Sequence, residues 1–325
     1  MDRVHRVAAD IVGPGPSAAP VPIAALRRRV RLPDRVEWPT LWVMLGVYVP
    51  FAGVLGLVAL DLMAWWVAAP VMAWCAAWQA SLQHEVIHGH PTPWAWVNRL
   101  IAGPPLLVFV PFDRYRDSHL AHHVDERLTD PLDDPESWYV TAARWRRASV
   151  VERRLRVAMN TMAGRVVLGP LWVMAQSVRC DLRDLLERRR LVALAAHAVQ
   201  LSVLGSLVAG AGVPVWAYLV MVAWPATGLI LIRSYAEHRP DPEPAARSVI
   251  VEASGLFDVL FLSNNLHALH HERPGLPWFL LRRVFRDGRE RILERNRDYR
   301  FGSYARIASQ YLFTPRDHPI HPSER

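Results

Sequence analysis

The sequence predicts an all-α integral membrane protein: four transmembrane helices in two hairpins, with a helical cap on the cytosolic side. Three observations predict it. Several apolar runs approach the ~20 residues that a helix needs to cross a bilayer. Arginines flank the outer ends of those runs, and histidines collect in the polar blocks beyond them. The hydrophobic fraction is 52% against 21% charged residues, and the charges are bunched, which leaves the apolar stretches long.

The elements follow in order. Residues 1–36 are rich in Pro, Ala and Arg and are expected as a loosely packed cytosolic tail. They lack the apolar core behind a basic start that marks a secretory signal. Arg27, Arg28, Arg29, Arg31 and Arg35 precede the run Leu41 to Leu60, which is apolar throughout. Pro50 is acceptable there, because membrane helices take proline more readily than soluble ones. Asp61 marks a turn, and Leu62 to about Leu82 is apolar again and Trp-rich, closing a first hairpin. Trp94 to Phe112 is apolar but broken by Pro104, Pro105 and Pro111, and reads as a half-inserted or interfacial segment. Asp113 to Arg156 is polar, and Gly164 to Val178 is expected in the interface. Arg188, Arg189 and Arg190 precede a second hairpin, Leu191 to Ala209 and Val215 to Ile232, which Arg233 closes. The catalytic body is drawn at 37–315, and 316–325 reads as a short C-terminal tail. Basic residues at the outer ends of both hairpins put every polar block and both termini on the cytosolic side of the cytoplasmic membrane.

The formal net charge of +8 rests entirely on arginine, since the sequence has no lysine. No basic stripe with interleaved aromatics lies outside the apolar segments, so nucleic acid is not an expected partner. Topological charge bias accounts for the arginines instead. Cys75 and Cys180 are too few for a disulfide framework and read as structural residues in a reducing compartment.

The histidines carry the chemistry. His84 and His88 in HEVIHGH are four apart and share one helix face. His119, His122 and His123 (HLAHH) stand at i, i+3 and i+4 and are expected on one face, and His267, His270 and His271 (HALHH) repeat that spacing. All three clusters fall in blocks assigned to one membrane side on other grounds. Neutral imidazole suits Fe, Zn, Cu and Ni. A single zinc needs only three or four ligands, so these are too many for one ion. Cysteine is absent from the clusters, which excludes iron–sulfur. His238, in RSYAEHRP just after the last span, is a further candidate, with Glu237 and Arg239 flanking it. His90 is open between a ligand, a supporting group and an exposed residue. His197 lies mid-span and reads as a packing residue, while His5, His318 and His321 are expected to face solvent. The bland alternative for any one cluster is a solvated helix face. Three clusters on one side argue against it.

Three boxes, H-x-x-x-H, H-x-x-H-H and H-x-x-H-H, on the ends of two membrane hairpins resemble the membrane fatty acid desaturase superfamily. That group includes carotenoid ketolases and hydroxylases. The likeness extends to HLAHHVDERLTDPLDDPESWY, RSYAEHRP and NNLHALHHERPGLPWFLL, and covers roughly Trp42 to Leu281. It implies a histidine-rich di-iron site in the cytosolic cap, with His84, His88, His119, His122, His123, His238, His267, His270 and His271 as ligands. Asn264 or Asn265 would reach iron through water. Asp134 and Glu136 are candidates to orient ligand imidazoles, since metal-bound histidine usually donates its other N–H to a carboxylate. A solvated acidic loop is the competing reading for those two.

The resemblance further implies two iron ions, O2 as co-substrate, a lipid or acyl substrate in the bilayer, and attack on an unactivated C–H bond. Desaturation of an acyl chain and hydroxylation or ketolation of a carotenoid, alkane or other lipid both fit, because the same ligands serve both outcomes. No fused cytochrome or iron–sulfur domain is expected from these residues, so electrons are expected from a separate ferredoxin-like carrier. Arg144, Arg146, Arg147, Arg153 and Arg154, with Arg282, Arg283, Arg286, Arg289 and Arg291, could steer an acidic carrier or contact lipid head groups. A third reading, a non-catalytic membrane metal carrier or sensor, would place ionisable groups within the spans, which hold few.

Overall fold

The computed structural model describes residues 22–253 and 255–325; residues 1–21, His5 among them, and Ser254 lie outside the described residues. The chain is mostly helical, with one two-stranded parallel pairing, Ile250–Val251 on Arg300–Phe301. Among the described residues, three helices are long and apolar enough to cross a membrane: Trp38–Ala59, Leu191–Gly210 and Val215–Ala236. Four were expected. The remaining hairpin arm, Trp65–Ile87, has the length at 23 residues. Its tryptophans, Gln79, Gln83, His84 and Glu85 make it less apolar. Its position explains how it can be so. Most of its residues from Ala68 onward are buried, and it packs against Trp38–Ala59, the Leu219–Ala236 stretch and the short helices Ala95–Ala102 and Phe112–His122. A helix wrapped by protein needs no all-round apolar surface, whereas Trp38–Ala59 leaves Trp38, Trp42 and Val49 exposed, as a lipid-facing helix does. The first hairpin turns at Asp61, whose φ of 57° is left-handed.

The Pro-broken segment forms a helix, Ala95–Ala102, followed by irregular backbone. Such backbone at membrane depth survives only where its polar groups find protein partners. The Gln79 amide donates to Pro104 O at 2.6 Å, and that of Gln83 to Ala102 O at 2.8 Å. Tyr48 donates to Ile101 O at 2.6 Å and Tyr218 to Leu106 O at 2.8 Å. His197 donates to Val108 O at 3.3 Å, which gives the mid-span histidine its packing role. Two of the polar side chains that make the central helix less apolar, Gln79 and Gln83, thus serve the carbonyls of the neighbouring segment.

Val215–Ala236 contains a π-helical stretch at Leu219–Ala223. Pro225, which has no N–H to continue the ladder, follows immediately. The same helix packs closely on the 25-residue helix Met162–Leu186. A Cβ at Gly228 would lie 2.8 Å from Val166 O, and one at Gly169 2.5 Å from Leu231 Cδ1. At Gly228 the neighbour is backbone, so only glycine permits this approach, whereas at Gly169 the Leu231 side chain would have to turn aside. Cys75 is buried and Cys180 exposed, and neither is bridged.

The segment Ile23–Arg29, within the expected tail, is a helix that buries Leu26 against Ile87 and Leu120. Arg27 forks onto Asp117 at 2.6 and 2.7 Å, two residues before His119. Residues 316–321 likewise lie against the body.

Candidate metal centre

The histidine-bearing elements are ends of helices. His84 and His88 close the central helix. His119, His122 and His123 close Phe112–His122. His267, His270 and His271 occupy the short helix His267–Glu272, and His238 follows the end of Val215–Ala236. Hydrogen bonds between Ala268 N and Val249 O (2.9 Å) and between Val251 N and Asn265 O (2.8 Å) dock the third box on the small strand pair.

These nine imidazoles form two groups. His84, His88, His119, His123 and His270 make one; His122, His238, His267 and His271 make the other. In each, one donor atom per residue lies within 4.8 Å of all the rest. The division follows from helix geometry. Residues i and i+4 lie about 40° apart around the axis and can aim at one point, whereas i+3 and i+4 lie about 100° apart and cannot. So His119 and His123 enter one group and His122 the other, while His267 and His271 enter the second group and His270 the first. Each H-x-x-H-H box therefore serves both groups.

Within the groups Nε2 atoms face one another: His119 and His88 at 3.2 Å, His123 and His119 at 3.1 Å, and His270 and His123 at 3.0 Å. In the second group His122 and His238 approach to 2.9 Å, and His267 and His238 to 3.1 Å. With metal–nitrogen bonds of about 2.1 Å, neighbouring ligands at right angles stand about 3.0 Å apart. His271 Nε2 is buried without a hydrogen-bond partner. Buried polar atoms seldom remain unpaired, so this one points to a ligand.

The outward nitrogens are held. His122 Nδ1 donates to Asp134 at 2.9 Å, His119 Nδ1 to Glu136 at 3.2 Å and His271 Nδ1 to Asp125 at 3.0 Å. His238 Nδ1 donates to Ser248 Oγ at 3.2 Å. Glu237 lies 3.6 Å from His267 Nδ1 and also pairs with Arg233 at 2.6 Å. Four carboxylates at the rim suit a site for cations. Burial, together with the neighbouring imidazoles, holds His123, His238, His267 and His270 well below the usual imidazole range. Burial also lowers His119 and His271, against the pull of Glu136 and Asp125. Neutral imidazole is the form that binds metal. Burial acts the same way on His122, but Asp134 and Glu136 outweigh it and push the ring up to about 9.

The other expected residues separate. Asn264 lies between the groups, its Nδ2 3.2 Å from His84 Nε2 and its Oδ1 3.1 Å from His267 Nδ1. Asn265 instead donates to Val251 O at 2.7 Å and braces the strand pair. His90 stands outside both groups, its Nδ1 2.8 Å from Glu37 Oε2. Asp125 and Ser248 escaped the sequence reading; the one available signal was that Asp125 follows His123 by two residues. His84 to His88 also spells H-E-x-x-H, a zinc-protease pattern that the sequence alone does not exclude. The tertiary structure argues against it, because Glu85 turns away to accept from Trp278 N at 3.1 Å. It also brings His119, His123 and His270 to the same point.

A family model described as Fatty acid desaturase matches residues 60–303. No curated protein matches the chain.

Proposed function

The chain belongs to the fatty acid desaturase family, a family of oxidoreductases, and from that premise we propose that it desaturates a fatty acyl chain of a membrane lipid. The observation that carries this reading is the pair of buried imidazole groups, five and four strong, within the matched region. In it, His84, His88, His119, His123 and His270 hold one iron, and His122, His238, His267 and His271 hold the other. Two irons bound there supply the power to activate O2 and break an unactivated C–H bond. The chain's own groups do the rest. Asp125, Asp134 and Glu136 fix the tilt of His271, His122 and His119. The Asn264 amide sets the spacing between the groups. Burial of the histidines keeps bulk water from the reacting carbon.

The same reading treats Trp65–Ile87 as a fourth, protein-wrapped span, with the boxes and both termini in the cytosol. The body runs from 37 to 315, and Ile23–Arg29 and 316–321 are laid onto its cytosolic face. Electrons come from an acidic, ferredoxin-like carrier drawn to the arginine-rich face. Reporter fusions after Arg35 and Arg239 should report cytosol, and one after Gly212 the opposite side. A cytosolic signal at Gly212 would remove the second hairpin.

Lipid profiles of cells with and without the protein, supplied with a suitable electron donor, test the reaction. A product lighter by two hydrogen atoms is expected. One heavier by an oxygen atom would make the protein a hydroxylase.

A further inference from the structure

We propose that the segment 316–321 is a strap that positions the second imidazole group, with Arg316 as the positioning residue for His238. The inference rests on the two-iron reading above. His238 is the one member of either group that no box supplies, and it sits where a helix ends and leaves carbonyls without intrahelical partners. Arg316 takes one of them and the carbonyl of His238 itself: its Nη1 donates to Tyr235 O at 2.5 Å and its Nη2 to His238 O at 2.7 Å. Its Nε donates to Asp317 at 2.9 Å, and its own backbone N–H donates to Asn160 O at 2.9 Å. The planar fork therefore fixes the backbone that aims His238, from a side chain only 14% exposed.

The next residues hold a second member of the same group. Asp317 accepts from Tyr139 OH at 2.8 Å. Val140 N donates to Pro319 O at 2.9 Å, and His321 N to Val140 O at 3.1 Å. His321 Nε2 lies 3.2 Å from Thr129 Oγ1, and Thr129 N donates to Asp134 Oδ2 at 2.9 Å. Asp134 in turn holds His122, whose Nε2 faces that of His238. One short segment thus grips both sides of the His122–His238 contact, and no hydrogen bond of Arg316 reaches the first group. Loss of the strap should loosen one ion and spare the other.

The test is iron per chain in the purified full-length protein, loaded with Fe(II) under anaerobic conditions, with thermal unfolding followed in parallel. Wild type should hold two ions. Arg316→Ala should stay folded and hold about one. In a His267→Ala background Arg316→Ala should cause no further loss; in a His270→Ala background the two losses should add. Arg316→Lys keeps the charge but cannot fork. It should release one of its two ions to a chelator about tenfold faster than wild type, within the range seen for loss of an outer partner. This variant decides the matter if Arg316→Ala does not accumulate. Two ions held by Arg316→Ala, equal loss from both groups, or unchanged release from Arg316→Lys would overturn the strap. Wild type that holds fewer than two ions would overturn the two-iron reading, and the strap with it.

Discussion

Replacing His238 by alanine should abolish turnover and remove about one of two bound irons, while leaving the protein in the membrane. The second group has only four imidazoles, and His238 touches two of the others, its Nε2 lying 2.9 Å from that of His122 and 3.1 Å from that of His267. Without it three nitrogens remain, and the His122 and His267 rings lose the neighbour that fixes their separation. Activity should fall by more than the ~100-fold that loss of an outer partner can cost. The backbone at this point is held independently by a bridge to Ser248, so the fold should survive. His270→Ala should behave alike through the first group. His318→Ala, on an exposed residue near the C-terminus, should do neither. Near-normal activity and iron content in His238→Ala would show that His238 is no ligand, and His90 would be the next residue to test.

Asp134→Ala is expected to cost about 10–100-fold in activity or metal affinity, and stability as well. The Asp134 side chain is 2% exposed, and its carboxylate accepts three hydrogen bonds of 2.9 Å, from His122 Nδ1, Thr129 N and Glu136 N. Alanine leaves the buried Thr129 N–H, the half-buried Glu136 N–H and an imidazole N–H without partners, at about 1–3 kcal/mol for each unsatisfied group that water cannot reach. The midpoint of thermal unfolding should drop accordingly. Asp134→Asn keeps the shape and one acceptor, so it should retain more stability than activity. Glu136→Ala should be milder, because the Glu136 side chain is 30% exposed and water can replace it at His119. If Asp134→Ala matches wild type in both activity and unfolding, the loop 129–140 does not orient the site.

The sequence by itself determined the chemistry. Histidine spacing along a helix is a local property, so the three boxes were legible as histidine-bearing helix faces, whereas the division of each H-x-x-H-H box between two groups came from the tertiary structure. The apolar runs and their arginine flanks likewise marked Trp38–Ala59, Leu191–Gly210 and Val215–Ala236, because a span must be apolar along its own length. What only the tertiary structure decided depends on neighbours distant in sequence. Trp65–Ile87 falls short of span-like hydropathy because protein, not lipid, surrounds it, and its glutamines serve carbonyls on another segment. The H-E-x-x-H spelling of His84 to His88 is compatible with a protease by sequence, and it is the contact of Glu85 with Trp278 that argues against one. Asn264 and Asn265 are adjacent and chemically identical, yet the turn of backbone between them sends one between the imidazole groups and the other to Val251. Likewise Arg316, one arginine among many in the sequence, acquires its role from the two carbonyls that the fold brings within reach of a single guanidinium.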